Sequence, residues 1–369
     1  MKVALITILD NTNFGTYLQA LATGKVIQEL GYEIEVITYI RSCMTAKGMS
    51  KALFEDRGPL RWLKRVWEIS PAIKLRDIDL KFLSEYLPMT RKYESYDDLY
   101  NAPPVADVYL TGSDQVWNSY YNRGIDKGFF LDFAPKDKKR VAYAASIGMD
   151  TIPDDEVGEF VKLLKKYSSI SVRETGAKKL LAKYNIASTV VLDPTLLLNN
   201  NSWYSIANKY SSRGGDEPYL LVYSVENKKE NKLLERYAHE IAKKRGLKLY
   251  QVSYSSRKKM LKTVDKRFDR ATPEMFLSLM INASFVLVSS FHGTAFSVNF
   301  NKQFLTVVPG RFNSRVSSLL EIIGLQSRMI LDNNFNIENL SDIDYTEVNC
   351  KLENERTLSL NYLKSILRG

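Results

Sequence analysis

The chain has 369 residues, of which 45% are hydrophobic and 25% are charged, the balance of an ordinary soluble globular protein. Its two cysteines exclude a disulfide framework or a zinc cluster, and no apolar run approaches the ~20 residues of a membrane span, so we expect a cytoplasmic protein. The net charge of +10 is spread out, without the interleaved aromatics of a nucleic-acid-binding module, which leaves small anions or an anionic membrane surface as partners.

Strands and helices alternate along the chain, which predicts an α/β fold, and the length suggests two domains of ~150–200 residues. In the N-terminal half, the predicted strands cover residues 2–8, 33–39, 107–110, 140–145, 170–173 and 189–192, and the predicted helices cover 17–30 and 154–167. A helical insertion at about 50–92 contains basic amphipathic segments at 61–67 and 80–86. Packing on the sheet is the simpler interpretation of these segments, and peripheral contact with the inner face of the membrane is the alternative.

The C-terminal half repeats the alternation. Its predicted strands cover residues 219–223, 247–252, 284–288 and 304–308, and its predicted helices cover 228–244, 273–281, 294–301, 314–323 and 353–367. The polar residues 199–202 are typical of a linker. We therefore predict two Rossmann-like, doubly wound domains, 1–198 and 199–345, facing one another across a cleft, with a C-terminal helix over 346–369 packing back on the first domain.

His292 is one of only two histidines, and it follows the apolar run 285–288. A strand that turns directly into a helix places its last side chains over the carboxyl edge of the sheet, where open α/β sheets bind ligands. The helix-start amides there can receive an anion, so the flanking Ser290, Gly293 and Thr294 are candidates for the same site. A histidine that caps the helix or fills a gap is the alternative interpretation.

A polar loop follows the predicted strand 107–110. It contains Ser113, Asp114, Gln115 and Asn118, whose hydrogen-bonding groups suit the hydroxyls of a sugar. Four polar side chains exceed what one helix cap requires, although a structural turn in which Asp114 caps a helix is the alternative.

Two further loops end predicted strands. In the first, Asn13, Gly15 and Thr16 precede a helix, and Gly15 permits close backbone approach; a simple helix start explains this loop equally well. In the second, Arg173 closes a strand and could bind a carboxylate or phosphate through its planar fork. Pairing of Arg173 with Glu174 or a neighbouring acid is the competing explanation.

Arg311 and Arg315 lie in a glycine-containing loop before the predicted helix 314–323. Two arginines in this position predict a clamp for an oxyanion, against the alternative of an exposed basic loop. The chain lacks a P-loop, an HExxH motif and a recognised nucleophile–histidine pattern, which disfavours covalent acyl and metalloprotease chemistry.

Five segments of the chain resemble the polysaccharide pyruvyl transferase family. In chain order they are NFGT at 13–16, GSDQVWN at 112–118, SVRE at 171–174, DPT at 193–195 and SFHGT at 290–294. Each string alone is weak, but GSDQVWN and FHG together are fairly specific. The segments stand in the family's order and extend over most of the chain.

The resemblance implies a GT-B-like fold and an enzyme that moves the enolpyruvyl unit of phosphoenolpyruvate onto a sugar of a surface polysaccharide or its precursor. A pyruvate ketal would form and phosphate would leave, with phosphoenolpyruvate as co-substrate and neither cofactor nor metal implied. His292 and Arg173 match the family's donor-side residues, and Arg315, with Arg311 second, matches a recurring basic residue. Phosphoenolpyruvate carries a carboxylate and a phosphate, which suit bidentate arginines, and imidazole can donate or accept a proton near neutrality.

On this interpretation the catalytic residues are His292, Arg173 and Asp114, with Asp114 as sugar binder or base. Many family members carry arginine where Ser290 stands, so a GT-B glycosyltransferase with a nucleotide-sugar donor is an alternative, as is a non-catalytic carbohydrate-binding protein. Lipid-linked and nucleotide-linked saccharides both stay open as acceptors.

Overall fold

The computed structural model describes residues 1–10, 13–50, 59–210, 217–225, 228–254, 261–308 and 314–368, with the backbone alone described for 59–68 and 228–231. The chain divides into two compact units. Unit 1 comprises Met1–Thr12, Thr16–Pro194 and Ser359–Gly369, and unit 2 comprises Asn13–Gly15 and Thr195–Leu358. None of the described helices combines the length and the hydropathy that a membrane crossing requires.

Unit 1 contains a seven-stranded parallel sheet. Its strands are β1 (Lys2–Ile6), β2 (Glu33–Tyr39), β3 (Met89–Tyr93), β4 (Val108–Thr111), β5 (Lys139–Ala145), β6 (Ser169–Val172) and β7 (Thr189–Val190). Their order is β3-β2-β1-β4-β5-β6-β7, the doubly wound arrangement of a Rossmann-like domain. The order reverses between β1 and β4, so the carboxyl ends of these two strands form the switch point at which such sheets bind ligands.

Burial separates the centre of this sheet from its edge. The central strand β1 is apolar and fully buried from Val3 to Ile6, as expected of a parallel strand covered on both faces. The edge strand β3 exposes Arg91 and Lys92, the charged residues that protect a sheet edge from pairing with another chain. Residues 89–93, at the end of the predicted helical insertion, therefore form a strand that lacks the hydrophobic pattern of a buried one.

The α-helices whose bounds fall within the described residues of this part of the chain are α1 (Phe14–Glu29), α2 (Pro59–Ser84), α3 (Tyr96–Asn101), α4 (Ser119–Asn122), α5 (Val157–Leu164) and α6 (Thr175–Ala182). The two segments predicted as separate helices, 61–67 and 80–86, fall largely within the single helix α2, which continues through Pro71. Proline removes one backbone hydrogen bond, so Pro71 weakens this helix without ending it. The side chains of 61–67, on which the membrane-contact alternative depends, lie outside the described residues.

Unit 2 contains a six-stranded parallel sheet. Its strands are β8 (Tyr219–Tyr223), β9 (Lys248–Ser253), β10 (Lys266–Asp269), β11 (Phe285–Val288), β12 (Phe304–Val307) and β13 (Met329–Ile330). Their order is β10-β9-β8-β11-β12-β13, so the switch point of this sheet lies between β8 and β11. The two sheets confirm the predicted fold class of two Rossmann-like, doubly wound domains.

The helices in this part of the chain are α7 (Pro194–Leu197), α8 (Asn200–Ala207), α9 (Lys228–Arg245), α10 (Pro273–Asn282), α11 (Phe291–Asn299), α12 (Ser314–Ile323) and α13 (Tyr345–Leu367). The prediction of a linker at 199–202 is wrong, because Asn199 caps α8 and the following residues begin this helix. The Asn199 side chain accepts a hydrogen bond from the Ser202 amide at 2.9 Å, as a helix cap does. Polar residues serve caps and linkers alike, so composition alone could not separate the two.

Candidate active site

The first group of candidate residues lies at the switch point of unit 1, where Asp114 follows β4. Asp114 has φ of +75°, a conformation that costs a non-glycine residue energy and recurs at functional sites. Its own carbonyl accepts hydrogen bonds from the amides of Val116 and Ser146, which hold the turn. Its carboxylate accepts from the Thr16 hydroxyl at 3.1 Å and from the Gln115 amide at 2.9 Å. The carboxylate is therefore buried and held in one orientation.

Arg173, at the end of β6, lies in the same cluster and is 3% exposed. Its Nη1 donates to Asp193 Oδ2 at 2.9 Å, and its Nη2 lies 3.8 Å from Asp114 Oδ1. Ser113 Oγ donates to the same oxygen of Asp193 at 2.7 Å. Burial by itself would lower the pKa of Arg173, but Asp193, Asp114 and Glu174 outweigh burial and raise it, so the guanidinium stays charged.

Asp193 is the principal partner of Arg173. Glu174, the acid named as a possible partner from the sequence, directs Oε1 toward the Ser146 hydroxyl at 2.8 Å and the amides of Ile147 and Gly148. Asp193 belongs to a motif of the family resemblance but was absent from our candidate residues. An acidic residue directly after a short apolar run that ends a strand was the signal that could have identified it.

The remaining polar residues of the GSDQVWN loop form hydrogen bonds with other protein groups, within the loop and beside it. Ser113 and Asn118, predicted to bind the acceptor, are fully buried. Asn118 Oδ1 caps α4 by accepting from the Tyr121 amide at 3.2 Å, and its Nδ2 donates to Gln115 Oε1 at 2.9 Å. These side chains shape the loop, while Gln115 is partly exposed.

The second group lies at the switch point of unit 2, where β11 leads into α11. Helix α11 begins at Phe291, earlier than predicted, because Ser290 caps it by accepting from the Gly293 amide at 3.0 Å. His292 therefore lies in the first turn and is 4% exposed. Thr294 Oγ1 lies 3.0 Å from the Ser290 carbonyl oxygen and fixes the same turn. A Cβ on Gly293 would lie 2.8 Å from the side chain of Val288, so only glycine fits this turn.

The segment Asn13–Gly15, at the start of α1, packs against His292 within unit 2. A Cβ added to Gly15 would lie 2.1 Å from His292 Nδ1, so this contact requires glycine. Asn13 Oδ1 accepts hydrogen bonds from the Gly15 amide at 2.9 Å and from the Tyr223 hydroxyl at 2.8 Å. Phe14 stacks on Phe276 with ring centroids 4.7 Å apart. Backbone fit and aromatic packing together fix the position of the imidazole.

Of the two predicted clamp arginines, Arg311 lies outside the described residues. Arg315 is in the first turn of α12 and is partly exposed. Among the parts of the chain that the structure describes, no three His, Cys, Asp or Glu side chains group as metal ligands.

Two doubly wound units, each with polar residues at its own switch point, define an α/β enzyme of the GT-B-like class. The model of one family, polysaccharide pyruvyl transferase, matches residues 13–310, which is most of the chain. The chain belongs to this family, and it is an enzyme of this kind. No curated protein matches it significantly.

Two solved structures illustrate the similarity of fold. A putative UDP-N-acetylglucosamine 2-epimerase from Listeria monocytogenes is 12% identical with a TM-score of 0.53, over 99% of this chain and 90% of that one. A UDP-GlcNAc 2-epimerase from Neisseria meningitidis bound to UDP-GlcNAc is 15% identical with a TM-score of 0.49, over 100% and 99% of the two chains. At these identities the similarity concerns the fold alone, and the first structure supports the GT-B-like class.

Proposed function

We propose that this enzyme transfers the enolpyruvyl unit of phosphoenolpyruvate to a saccharide and forms a pyruvate ketal. In the balanced reaction, C2 of phosphoenolpyruvate bonds to two hydroxyl oxygens of the saccharide and its bond to the phosphate oxygen breaks. One hydroxyl proton ends on the methylene carbon, which becomes methyl, and the other leaves with phosphate. The observation that carries the proposal is the placement of the family's motifs at the carboxyl ends of strands in the two sheets, with His292 held in a helical first turn.

His292 is proposed as the general acid of this reaction. An imidazole with a reference pKa of ~6.5 can donate a proton to the methylene carbon or to the departing phosphate near neutral pH. The N-terminus of α11, where His292 lies in the first turn, carries the partial positive charge of a helix start, which favours an anion. Ser290, Gly293 and Thr294 contribute to this donor site by holding that turn.

Asp114 is proposed as the base that takes a proton from the acceptor hydroxyl. Thr16 and the Gln115 amide hold its carboxylate, and Arg173 approaches it from the side of Asp193. Such preorganisation lowers the cost of reaching the transition state.

Arg173 was predicted to hold the donor, and that role stays a prediction. Its charge is already met by Asp193 and Asp114, with Glu174 close enough to raise its pKa further. Because these carboxylates outnumber the guanidinium, the geometry favours Arg173 as a group that orients Asp114. We therefore propose that Arg315 and Arg311 hold most of the donor's negative charge.

We propose a saccharide of a surface polysaccharide, or its lipid- or nucleotide-linked precursor, as the acceptor, and the cytoplasm as the place of reaction. The family and the GT-B-like fold support a carbohydrate acceptor. Asn13, Gly15 and Thr16, together with Ser113, Gln115 and Asn118, are proposed to shape its site.

The test is phosphate release from phosphoenolpyruvate in the presence of a panel of methyl glycosides. Replacing His292 with alanine should lower the rate by about 100-fold or more, since acid–base groups contribute on this scale. His239→Ala is a matched control, because the second histidine is exposed on α9. A His292→Ala enzyme with the wild-type rate would contradict the role of His292. Thermal stabilisation by a UDP-sugar but not by phosphoenolpyruvate would favour the glycosyltransferase alternative instead.

A further inference from the structure

Tyr120 and Tyr121 are exposed aromatic residues directly after the GSDQVWN loop. Tyr120 is 77% exposed and Tyr121 is 48% exposed, and their ring centroids are 5.6 Å apart at an interplanar angle of 70°. Within the described ranges, they are the only large exposed apolar side chains that neighbour one another in the sequence. Two exposed aromatic rings in contact indicate a candidate binding surface, because neighbouring apolar side chains that stay exposed often mark an interaction site.

The short helix α4 carries both rings, and side-chain hydrogen bonds hold it in place. Arg41 Nη1 donates to Asn122 Oδ1 at 2.8 Å and to the Tyr121 carbonyl at 3.4 Å, and Arg41 pairs with the buried Asp10. Asn122 Nδ2 donates to the Val116 carbonyl at 2.8 Å. The backbone beneath the rings is thus fixed before any ligand arrives, which reduces the entropy lost on binding.

The residues that anchor α4 show at which edge of the sheet this helix lies. Asp10 follows β1, Arg41 follows β2, and Asn118 follows β4, and all three contribute to anchoring α4. The carboxyl ends of parallel strands meet at one edge, so α4 lies at the edge where doubly wound sheets bind ligands. This is also the edge from which Asp114 extends.

The loop side chains predicted to bind the acceptor do not account for sugar binding by themselves. Ser113 and Asn118 are fully buried and bond to Asp193 and Gln115. The two exposed tyrosines follow this loop directly, on the helix that Asn118 caps. Tyrosine offers a flat apolar face and a hydroxyl, which match the C–H face and the rim hydroxyls of a pyranose ring.

We infer that Tyr120 and Tyr121 form the platform on which the acceptor saccharide stacks, an inference that rests on the proposed function. A protein partner fits the area less well. At 77% and 48% exposure the two tyrosines present about 190–310 Å², whereas a stable interface takes about 800 Å² from each partner. A sugar ring is small enough for one tyrosine ring to cover its face while the other tyrosine ring lies along its edge.

The experiment measures binding of methyl glycosides by saturation-transfer NMR, together with the acceptor KM in the phosphate-release assay. The double variant Tyr120→Ala/Tyr121→Ala should raise the acceptor Kd and KM by ~10-fold or more, on the scale of stacking between an aromatic side chain and a flat ring. The KM for phosphoenolpyruvate should stay unchanged. Tyr120→Phe/Tyr121→Phe should bind within about threefold of wild type, because the ring faces remain.

The matched control is Tyr100→Ala, which removes a 54% exposed tyrosine that contacts Tyr96 on α3 of the same unit. It should leave glycoside binding unchanged. The inference is overturned if the double alanine variant binds like wild type, if no glycoside binds wild type, or if the variant changes only the oligomeric state. Glycoside binding that depends on the tyrosines, without any pyruvyl transfer, would overturn the proposed function and leave the platform standing.

Discussion

The two switch points of this enzyme are built by different physical means. In unit 1, Asp114, Arg173 and Asp193 are buried charges that stabilise one another. In unit 2, His292 is positioned by a helix cap and by a glycine that allows the imidazole to approach. The first site should therefore be sensitive to changes of charge, and the second to changes of volume.

The largest effect is expected from breaking the charge cluster. Arg173→Met leaves Asp193 and Asp114 buried without their cation, which should lower the free energy of unfolding by about 3–5 kcal/mol. Denaturant melts would measure this change. Arg91→Met is the control, since Arg91 pairs with Asp98 at the surface and its loss should leave the melt unchanged. Equal melts for wild type and Arg173→Met would refute the account of unit 1.

Arg173→Lys keeps the charge and separates the two roles of this residue. If Arg173 orients Asp114, the variant should lower kcat about tenfold with little change in the KM for phosphoenolpyruvate. If Arg173 instead binds the donor, the loss of the bidentate fork should appear mainly in that KM. Steady-state kinetics at varied phosphoenolpyruvate decide between the two.

The next largest effect concerns the packing of unit 2. Gly15→Ala places a Cβ against the imidazole of His292, which should cost about 1–3 kcal/mol of stability and at least about tenfold in kcat. Gly158→Ala is the matched control, because nothing lies within 4 Å of a Cβ at that position in α5. The control should keep full activity and gain up to ~1 kcal/mol from helix propensity. If both alanine variants behave alike, the close contact at Gly15 has no importance.

A smaller effect is expected at the cap of α11. Ser290→Ala removes the acceptor for the Gly293 amide and should cost about 1 kcal/mol. Ser290→Thr keeps an acceptor oxygen and should retain most of that stability. Thermal melts of the two variants make the comparison, and an alanine variant as stable as the threonine variant would show that the cap contributes nothing.

The smallest effect is a pH dependence in unit 1, at a carboxyl group outside the charge cluster. Burial raises the pKa of Asp126, although Tyr39 and the Gly128 amide donate hydrogen bonds to it. The folded protein thus holds this proton at pH values where the unfolded chain has lost it. Stability from Asp126 is therefore present below the ordinary aspartate pKa and declines as pH rises through the raised folded value. Asp126→Asn should flatten this decline in melts between acidic and neutral pH, and an unchanged slope would contradict it.

Hydrophobic pattern and strand-end position were enough to predict the buried strands of both sheets, and to place Asp114 on a strand-end loop and His292 at a strand-to-helix turn. Buried strands such as β1 and β11 consist almost entirely of apolar residues, so they are visible in the sequence. The edge strand β10 was not predicted, because its residues Lys266–Asp269 are mostly charged, as edge strands often are.

Side-chain partners were harder to predict than elements. The burial of Ser113 and Asn118, and the pairing of Arg173 with Asp193, depend on contacts between residues far apart in the chain. A polar residue on a strand-end loop can bind a ligand or form hydrogen bonds that stabilise the loop, and the sequence pattern is the same in both cases. The sharing of a cleft by Arg173 and His292 stays a prediction.

The most direct test of pyruvyl transfer is the reaction in D₂O, followed by NMR of the methyl group in the saccharide product. The account predicts a pyruvate ketal whose new methyl group carries solvent deuterium, formed by wild type and His239→Ala but not by His292→Ala. Phosphate release without any ketal, or ketal formation at the wild-type rate by His292→Ala, would contradict it.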